Sequence, residues 1–202
     1  MLKGNFQSLF SAGSTPSRAT VEWCLLAMIR HPDVQSAVHR ELDALLPRDR
    51  PPTWKDHLGL PFTLSVVYEV LRHNSIVPIP LLRCTAGRTR IGGYDVPKGT
   101  IVMPSIWSVH HDPRHWEEPF AFKPERFLRE GRAFRPPSFV PFSYGKRNCP
   151  GEDMAIAIVF TYFASLMQRY SVSLPDAEQG VRQLHGVANV VLLENVCFKK
   201  RF

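Results

Sequence analysis

The sequence predicts a mainly helical domain with small β-sheets. Apolar residues recur at helical spacing in four stretches: residues 1–30, 33–45, 64–73 and 151–170. Short strand-like runs joined by turn residues, such as Gly92-Gly93, follow the third stretch. Residues 104–148 show no periodicity and hold seven of the 18 prolines. A loop of that length is uncommon in a compact domain unless it wraps around another group.

The first predicted helix has a weak point near its middle. Residues 11–17 are mostly small and include Pro16, which removes a backbone donor and clashes with the preceding turn. We therefore predict a kink or a local opening of the helix at this position. His31-Pro32 is expected to end this helix, and Asp33 is expected to help start the next one.

Three short strands are predicted after the third helix, at Leu81-Leu82, Thr89–Ile91 and Thr100–Met103. One of their connections contains Pro97-Lys98-Gly99, which is turn-forming because proline presets φ and glycine tolerates positive φ. The end of the chain, Leu184–Phe202, is predicted to form a last pair of strands.

The composition argues against several classes of protein. The net charge of +7 would suit nucleic acid, an anionic membrane or an acidic protein partner. The basic residues are spread along the chain without interleaved aromatic residues, so no nucleic-acid partner is expected. The four cysteines lack paired spacing, which argues against a disulfide framework and a zinc site. Met1-Leu2-Lys3-Gly4 does not begin a signal peptide, and the apolar run Met154–Met167 is too short to cross a bilayer.

The strongest chemical signal is the segment Phe142–Gly151, which reads FSYGKRNCPG. If Cys149 binds a haem, Gly145 and Gly151 would let the backbone approach the flat macrocycle, and Arg147 could pair with a propionate. The segment leads into a predicted helix, whose N-terminus favours an anionic sulfur. We therefore predict that Cys149 is the axial thiolate ligand of a haem iron. A glycine-rich turn with a structural cysteine is the ordinary alternative.

These residues resemble the haem-binding loop of the cytochrome P450 family, F-x-x-G-x-R-x-C-x-G. Two further segments follow the family's order. Glu69-Val70-Leu71-Arg72 looks like its E-x-x-R helix, and Pro124-Glu125-Arg126-Phe127 looks like its P-E-R-F segment, whose arginine completes a Glu-Arg-Arg network. The resemblance covers essentially the whole chain and looks most like animal microsomal members. It implies an incomplete cytochrome P450 fold, with residues 1–202 as the C-terminal part of one domain, from the distal haem helix onwards.

The resemblance also implies haem b as the cofactor and assigns its contacts. Arg83 lies where an arginine or histidine usually reaches a propionate, and Ala12 and Gly13 lie in the helix that passes over the haem. With these three, the implied haem contacts are Phe142, Gly145, Arg147, Cys149 and Gly151. Glu69, Arg72 and Arg126 would form a structural network rather than catalyse. The common alternative for Glu69 and Arg72 is an i,i+3 pair on an exposed helix, worth a few tenths of a kcal/mol.

Two segments, residues 76–81 and 185–188, would line a substrate pocket by the same resemblance. The residues chosen from them are Ile76, Val77, Ile79, Leu81, Gly186 and Val187. They are mostly apolar, which suggests an apolar substrate. Apolar side chains would equally fill an ordinary core.

The predicted distal helix departs from the family where protons are relayed to dioxygen. After Ala-Gly the family usually has one residue, then an acid, then threonine, whereas here Thr15 stands at the acid position and Pro16 at the threonine position. Proline has no hydroxyl. Either Thr15 or Ser17 therefore substitutes through water, or proton delivery is weak. Relaxed selection is the alternative.

The function implied by the resemblance is that of a monooxygenase. It would insert one oxygen atom of dioxygen into an apolar organic substrate, with electrons from an NADPH-dependent flavoprotein reductase. The location would be the cytoplasmic face of the endoplasmic reticulum, through an N-terminal anchor outside these 202 residues. Lys146 would meet an acidic surface of the reductase, with solvated surface charge as the alternative.

Two other functions stay open from the sequence. A haem-thiolate isomerase or dehydratase acting on a peroxide needs neither external electrons nor a proton relay, which would suit Pro16. A truncated, non-catalytic haem-binding fragment is the second.

A possible metal site is suggested by His110-His111-Asp112 together with His115. The alternative, a polar turn before Trp116 and away from the haem, is expected instead.

Overall fold

The computed structural model describes residues 2–175, 180–186 and 188–202. Within these residues there are five α-helices: α1 Leu2–Arg30, α2 Pro32–Leu45, α3 Pro61–Asn74, α4 Ile106–His110 and α5 Glu152–Arg169. Two 3₁₀ helices, Trp54–Leu58 and Pro124–Phe127, lie between them. The prediction of a mainly helical domain with small sheets is confirmed.

The strands form two-stranded antiparallel sheets. Their bounds are β1 Arg83–Cys84, β2 Thr89–Ile91, β3 Tyr94–Val96, β4 Ile101–Val102, β5 Leu128–Arg129, β6 Arg132–Ala133, β7 Tyr170–Ser173, β8 Val181–Leu184, β9 Val190–Leu193 and β10 Cys197–Lys200. The pairs are β1 with β4, β2 with β3, β5 with β6, β7 with β10, and β8 with β9.

Two of the strand predictions are wrong. Leu81-Leu82 is not a strand, because the paired backbone begins at Arg83, whose partner across β1 and β4 is Val102. The last two strands do not pair with each other. β9 packs against α1 and pairs with β8, whereas the chain turns at Asn195, with φ of 61°, and β10 pairs with β7.

The hydrophobic core lies where the C-terminal half of α1 meets α2, α3 and α5. Buried side chains that build it are Leu26, Met28, Val38, Leu42, Val66, Val67, Phe160, Phe163 and Met167. The N-terminal half of α1 takes no part, because residues 3–15 are exposed. The C-terminal half of α1 therefore packs into the core, whereas its N-terminal half is exposed.

Helix α1 continues through Pro16, so the predicted local opening is wrong. Hydroxyl groups support the helix around the proline, since Ser17 Oγ donates to the Gly13 carbonyl and Thr20 Oγ1 donates to the Pro16 carbonyl, each at 2.7 Å. A kink at this position stays a prediction. The expected end near His31-Pro32 is confirmed, and α2 begins with Pro32, where a missing N–H costs no intrahelical bond.

The buried side chain of Gln35 ties three elements together. Its Nε2 donates to the carbonyls of Met28 in α1 and Val172 in β7, at 3.0 and 3.1 Å, and its Oε1 accepts from the Val172 N–H at 2.8 Å. These bonds fix the start of α2 against the strand that follows α5. No helix in the described parts of the chain is long and apolar enough to cross a membrane.

Candidate functional site

An ion-paired network joins Glu69 and Arg72 of α3 to Arg126. Arg72 Nε and Nη2 donate to the two carboxylate oxygens of Glu69 at 2.7 and 2.8 Å. Arg126 Nε donates to Glu69 Oε1 at 3.2 Å. The side chains of Glu69 and Arg72 are 0% exposed, so the alternative of an exposed helix pair is wrong. The structure brings together the three residues that the sequence grouped.

Arg72 also donates hydrogen bonds to backbone carbonyls at the end of α4 and in the loop that follows it. Its Nη1 donates to the carbonyls of His110 and Pro119 at 2.7 and 2.8 Å, and its Nη2 donates to that of Ala121 at 3.3 Å. The guanidinium also lies over the Trp116 ring, 5.2 Å from its centre. A fully buried arginine therefore has partners for its charge and shapes the loop around it.

The histidine-rich segment does not form a metal site in the part of the chain that the structure describes. His111 Nδ1 lies 2.9 Å from the Trp107 carbonyl, and Asp112 accepts from Arg114, which holds the pKa of that carboxyl below its usual range. The expected polar turn is wrong for His110, which is the last residue of α4 and is fully buried.

The loop that carries Cys149 is closed by backbone hydrogen bonds. The Cys149 N–H donates to the Phe142 carbonyl at 2.9 Å, and the Asn148 N–H donates to the Gly145 carbonyl at 3.0 Å. Gly145 has φ of +81°, which glycine adopts without strain, and a Cβ there would meet no atom within 4 Å. Phe142 and Cys149, two of the predicted haem contacts, are thus held side by side.

Cys149 itself lies exposed just before α5. Gly151 is the N-cap residue of that 18-residue helix, and a Cβ added to it would lie 3.9 Å from Cys149 Sγ. Cys24, in contrast, is buried, and burial raises the pKa of its thiol. Cys84 and Cys197 are exposed but lie in short strands, away from a helix N-terminus.

Arg83 connects β1 to this loop. Its Nη2 donates to the Arg147 carbonyl at 2.8 Å and lies 3.3 Å from Ser143 Oγ. Arg147 and Lys146 are exposed. In the described residues, Arg83, Lys146 and Arg147 form no ion pair with a carboxylate.

The donor set around Cys149 fits a haem. It contains an accessible thiol at the start of a long helix, free space beside Gly145, and cations for acidic propionates. Leu81 and Leu82, which precede Arg83 in the sequence, are exposed. Phe142 is half-buried at its base.

The hydroxyl groups predicted to relay protons, those of Thr15 and Ser17, differ in their hydrogen bonds. Ser14 and Ser17 donate to the carbonyls of Phe10 and Gly13, both at 2.7 Å. The exposed Thr15 makes no side-chain hydrogen bond in the described residues, and Pro16 has no N–H for the Ala12 carbonyl. Ala12 and Gly13 are exposed. Across the described residues, no hydrogen bond or ion pair joins positions 3–15 to the Cys149 loop.

The two segments assigned to a substrate pocket are residues 76–81 and 185–188. The carbonyl of Ile76, in the first segment, accepts at 2.8 Å from the N–H of Asn189, which is one residue beyond the second. Ile76 packs into the hydrophobic core, whereas Val77 is half-buried and Ile79 and Leu81 are exposed. Gly186 is exposed. Val187 lies outside the described residues.

The comparisons with known proteins identify the family of the chain. The family model described as Cytochrome P450 matches residues 2–198. The chain belongs to the cytochrome P450 family. It is 40% identical to "Cytochrome P450 2U1" of Bos taurus over 195 residues, which are 96% of this chain and 36% of that protein. It is 43% identical to "Cytochrome P450 2D14" of Bos taurus over 180 residues, which are 89% of this chain and 36% of that protein.

The chain therefore spans about a third of the length of the curated relatives that it matches. A third relative, "Cytochrome P450 2U1" of Homo sapiens, is 40% identical over 169 residues, which are 83% of this chain and 31% of that protein. These relatives bear out the resemblance to animal members of the cytochrome P450 family.

Sequence reasoning missed His110 as a residue connected to the Cys149 loop. Its Nε2 accepts a hydrogen bond from the backbone N–H of Val140, which lies two residues before Phe142. A signal was present, because His110 follows Ile106 by four residues, and these positions share one face of a short helix. Both residues are buried.

Proposed function

We propose that this protein is a haem-thiolate monooxygenase that acts on an apolar organic substrate. The observation that carries the proposal is the accessible thiol of Cys149, presented at the start of α5 by a closed loop that Arg83 contacts. Residues 1–202 would form the C-terminal part of a single cytochrome P450 domain. Membership of the family supports this reading.

Haem b would be held by Cys149 through its sulfur and by Arg83 and Arg147 through its propionates. Gly145, Gly151, Phe142, Ala12 and Gly13 would form further contacts with it. The chemistry that bound haem supplies is the reductive activation of dioxygen. The chain's own contribution is to present the Cys149 sulfur at the start of α5, in a loop that Arg83 contacts.

An NADPH-dependent flavoprotein reductase would supply the electrons. Lys146 is exposed in the Cys149 loop and would face an acidic surface on that partner. The protein would be attached to the endoplasmic reticulum membrane, on its cytoplasmic side, as the resemblance to animal microsomal members of the family implies. An apolar substrate would contact Ile79 and Leu81, which are exposed, and Val77, while Ile76, Gly186 and Val187 would shape the same region.

Replacing Cys149 by alanine is expected to abolish the thiolate-type absorption band of the reduced, carbon monoxide-treated protein, because the axial sulfur is removed. Cys197→Ala is the matched control, since Cys197 is also exposed but lies in β10. The absorption spectra of both haem-loaded variants and of the wild type provide the measurement. A thiolate-type band that survives in Cys149→Ala would overturn the assignment of the ligand.

The reaction itself is tested with isotopically labelled dioxygen, a reductase, NADPH and ethylbenzene as an apolar probe. One labelled oxygen atom in the hydroxylated product, dependent on the reductase, is expected. Conversion of an alkyl hydroperoxide without reductase or dioxygen, and no labelled product, would instead support the isomerase or dehydratase function.

Thr15 is expected to deliver protons. Its hydroxyl makes no hydrogen bond in the described part of the chain, whereas the Ser17 hydroxyl donates to the Gly13 carbonyl. Thr15→Val should lower the turnover of the probe by about a hundredfold or more, within the range for lost proton transfer. Ser17→Ala, the matched control, should change it by less than about threefold. The ratio of product to NADPH consumed reports the same step, and equal losses in both variants would contradict the role of Thr15.

A further inference from the structure

His110 is fully buried and has no carboxylate partner among the residues that the structure describes. It ends α4, and its side chain lies between the C-terminal end of α3 and the segment that leads to Cys149. Burial, with smaller effects of the charges of Arg72 and His111, lowers the pKa of His110 to about 3. The ring is therefore neutral at physiological pH, and one of its nitrogens carries a lone pair.

The contacts of the ring determine which nitrogen carries the proton. The backbone N–H of Val140 points to Nε2 at 3.1 Å, so Nε2 accepts and Nδ1 must be the protonated nitrogen. Nδ1 lies 3.0 Å from Ser75 Oγ, which itself donates to the Arg72 carbonyl at 3.0 Å. The direction of donation is thus continuous, from Val140 to His110, to Ser75 and to the end of α3.

Both ends of this connection are themselves fixed. The His110 carbonyl accepts from Arg72 Nη1 at 2.7 Å, so the Glu69–Arg72 ion pair holds the backbone of the same residue. Asn189 Nδ2 donates to the Ser75 carbonyl at 3.1 Å, and Ser75 has a left-handed φ of 41°. The ring cannot follow the loop if the loop shifts, because its own position is set by α3.

Val140 is the residue at which the turn towards Cys149 begins. Its carbonyl accepts from the Ser143 N–H at 3.0 Å, and the Phe142 carbonyl accepts from the Cys149 N–H at 2.9 Å. The neighbouring Phe139 ring is stacked on His110, with 6.0 Å between the ring centres and 20° between their planes. His110 therefore contacts both the side chain and the backbone at the base of the loop.

We propose that His110 is a positioning residue for the haem-thiolate loop, which transmits the position of the Glu69–Arg72 network to Cys149 through the Val140 N–H. The consequence for function rests on the proposed role of Cys149 as the haem ligand. Without the ring acceptor, the Val140 N–H has no partner at this site, and the turn that presents the thiol is free to shift.

Two variants of His110 separate a positioning role from loss of packing. In His110→Gln the side-chain oxygen can take the place of Nε2 and accept from Val140, whereas His110→Leu keeps a buried apolar volume and has no acceptor. Hydrogen exchange at the amides of Val140, Ser143 and Cys149 is measured in the full chain. We expect exchange about tenfold faster or more in the leucine variant and within about threefold of wild type in the glutamine variant.

Val38→Ala provides a control for general destabilisation, since Val38 lies fully buried in α2 and belongs to the core. It should leave the exchange of the three amides within about threefold. In the haem-loaded chain, the fraction with a thiolate-type carbon monoxide band should fall in His110→Leu and be restored in His110→Gln. Ring ¹⁵N shifts should show the proton on Nδ1.

Unchanged exchange in His110→Leu, or a proton found on Nε2, would overturn the proposal. If Cys149→Ala keeps the thiolate-type band, the proposed function fails, but the amide exchange still decides the role of His110. The two outcomes are thus distinguishable.

Discussion

Replacing Glu69 by glutamine is expected to lower the free energy of unfolding by about 3–5 kcal/mol, the range for breaking one side of a buried ion pair. Glutamine has nearly the same shape, but it leaves the fully buried Arg72 without its carboxylate. Its amide NH₂ group is a donor and would face the N–H donors of the arginines instead of accepting from them. Arg126, which is 12% exposed, loses the same partner. Denaturation in urea, followed by circular dichroism, measures the change.

The matched control for this effect is Asp95→Asn in the β2–β3 hairpin. Asp95 pairs with Arg88 and Arg90, and all three side chains are more than half exposed. Because exposed ion pairs are screened by water, the expected loss is below about 1 kcal/mol. A loss for Glu69→Gln as small as that of the control would show that the network contributes little to the fold.

The protein is expected to lose stability as the pH falls below 6.5, in part because of His110. Its pKa is lowered from 6.5 to about 3 in the folded state, so the unfolded state binds the proton more readily. The stabilisation by neutral His110 is complete above pH 6.5 and declines as the pH falls towards 3. At pH 5 this loss is about 2 kcal/mol, since one pKa unit corresponds to about 1.4 kcal/mol.

His110→Gln isolates this contribution, because glutamine does not titrate. The free energy of unfolding, measured by denaturation between pH 7 and 5, should fall by about 2 kcal/mol less in the variant than in wild type. His31, His39 and His111 also have pKa values lowered by burial and act in the same direction in both proteins. Parallel pH curves for wild type and His110→Gln would contradict the prediction. His115→Gln, at an exposed site, is the control.

The helices were predictable because their signal is local. Residues 64–73 carry apolar side chains at helical spacing, and α3 extends from Pro61 to Asn74 around them. The strand Thr89–Ile91 was also predictable, since its partner follows directly after the turn at Gly92-Gly93. In both elements, the residues that carry the sequence pattern and their hydrogen-bonding partners are close in sequence.

The pairing of the last strands could not be read from the chain in the same way. β10 has β7 as its partner, and β7 lies before the intervening β8 and β9 in the sequence. All four residues of β10 are exposed, so no apolar alternation indicates which strand it joins. Leu81 and Leu82 are the opposite case, in which a pattern was present but no strand formed. These apolar residues suggested a strand, yet both are exposed and precede the paired backbone of β1.

The sequence by itself suffices to place this chain in its family and to single out Cys149 among its four cysteines as the candidate ligand. The residues that carry this inference, Phe142, Gly145, Arg147, Cys149 and Gly151, lie within ten positions, so their types and spacing can be read directly. Burial is a property of the assembled fold. The i,i+3 spacing of Glu69 and Arg72 is the same on an exposed helix and in the core. Only packing against residues 110–127 removes water from that pair, and only the approach of Val140 makes His110 an acceptor. Those contacts join segments 30 or more residues apart, which local sequence patterns do not specify.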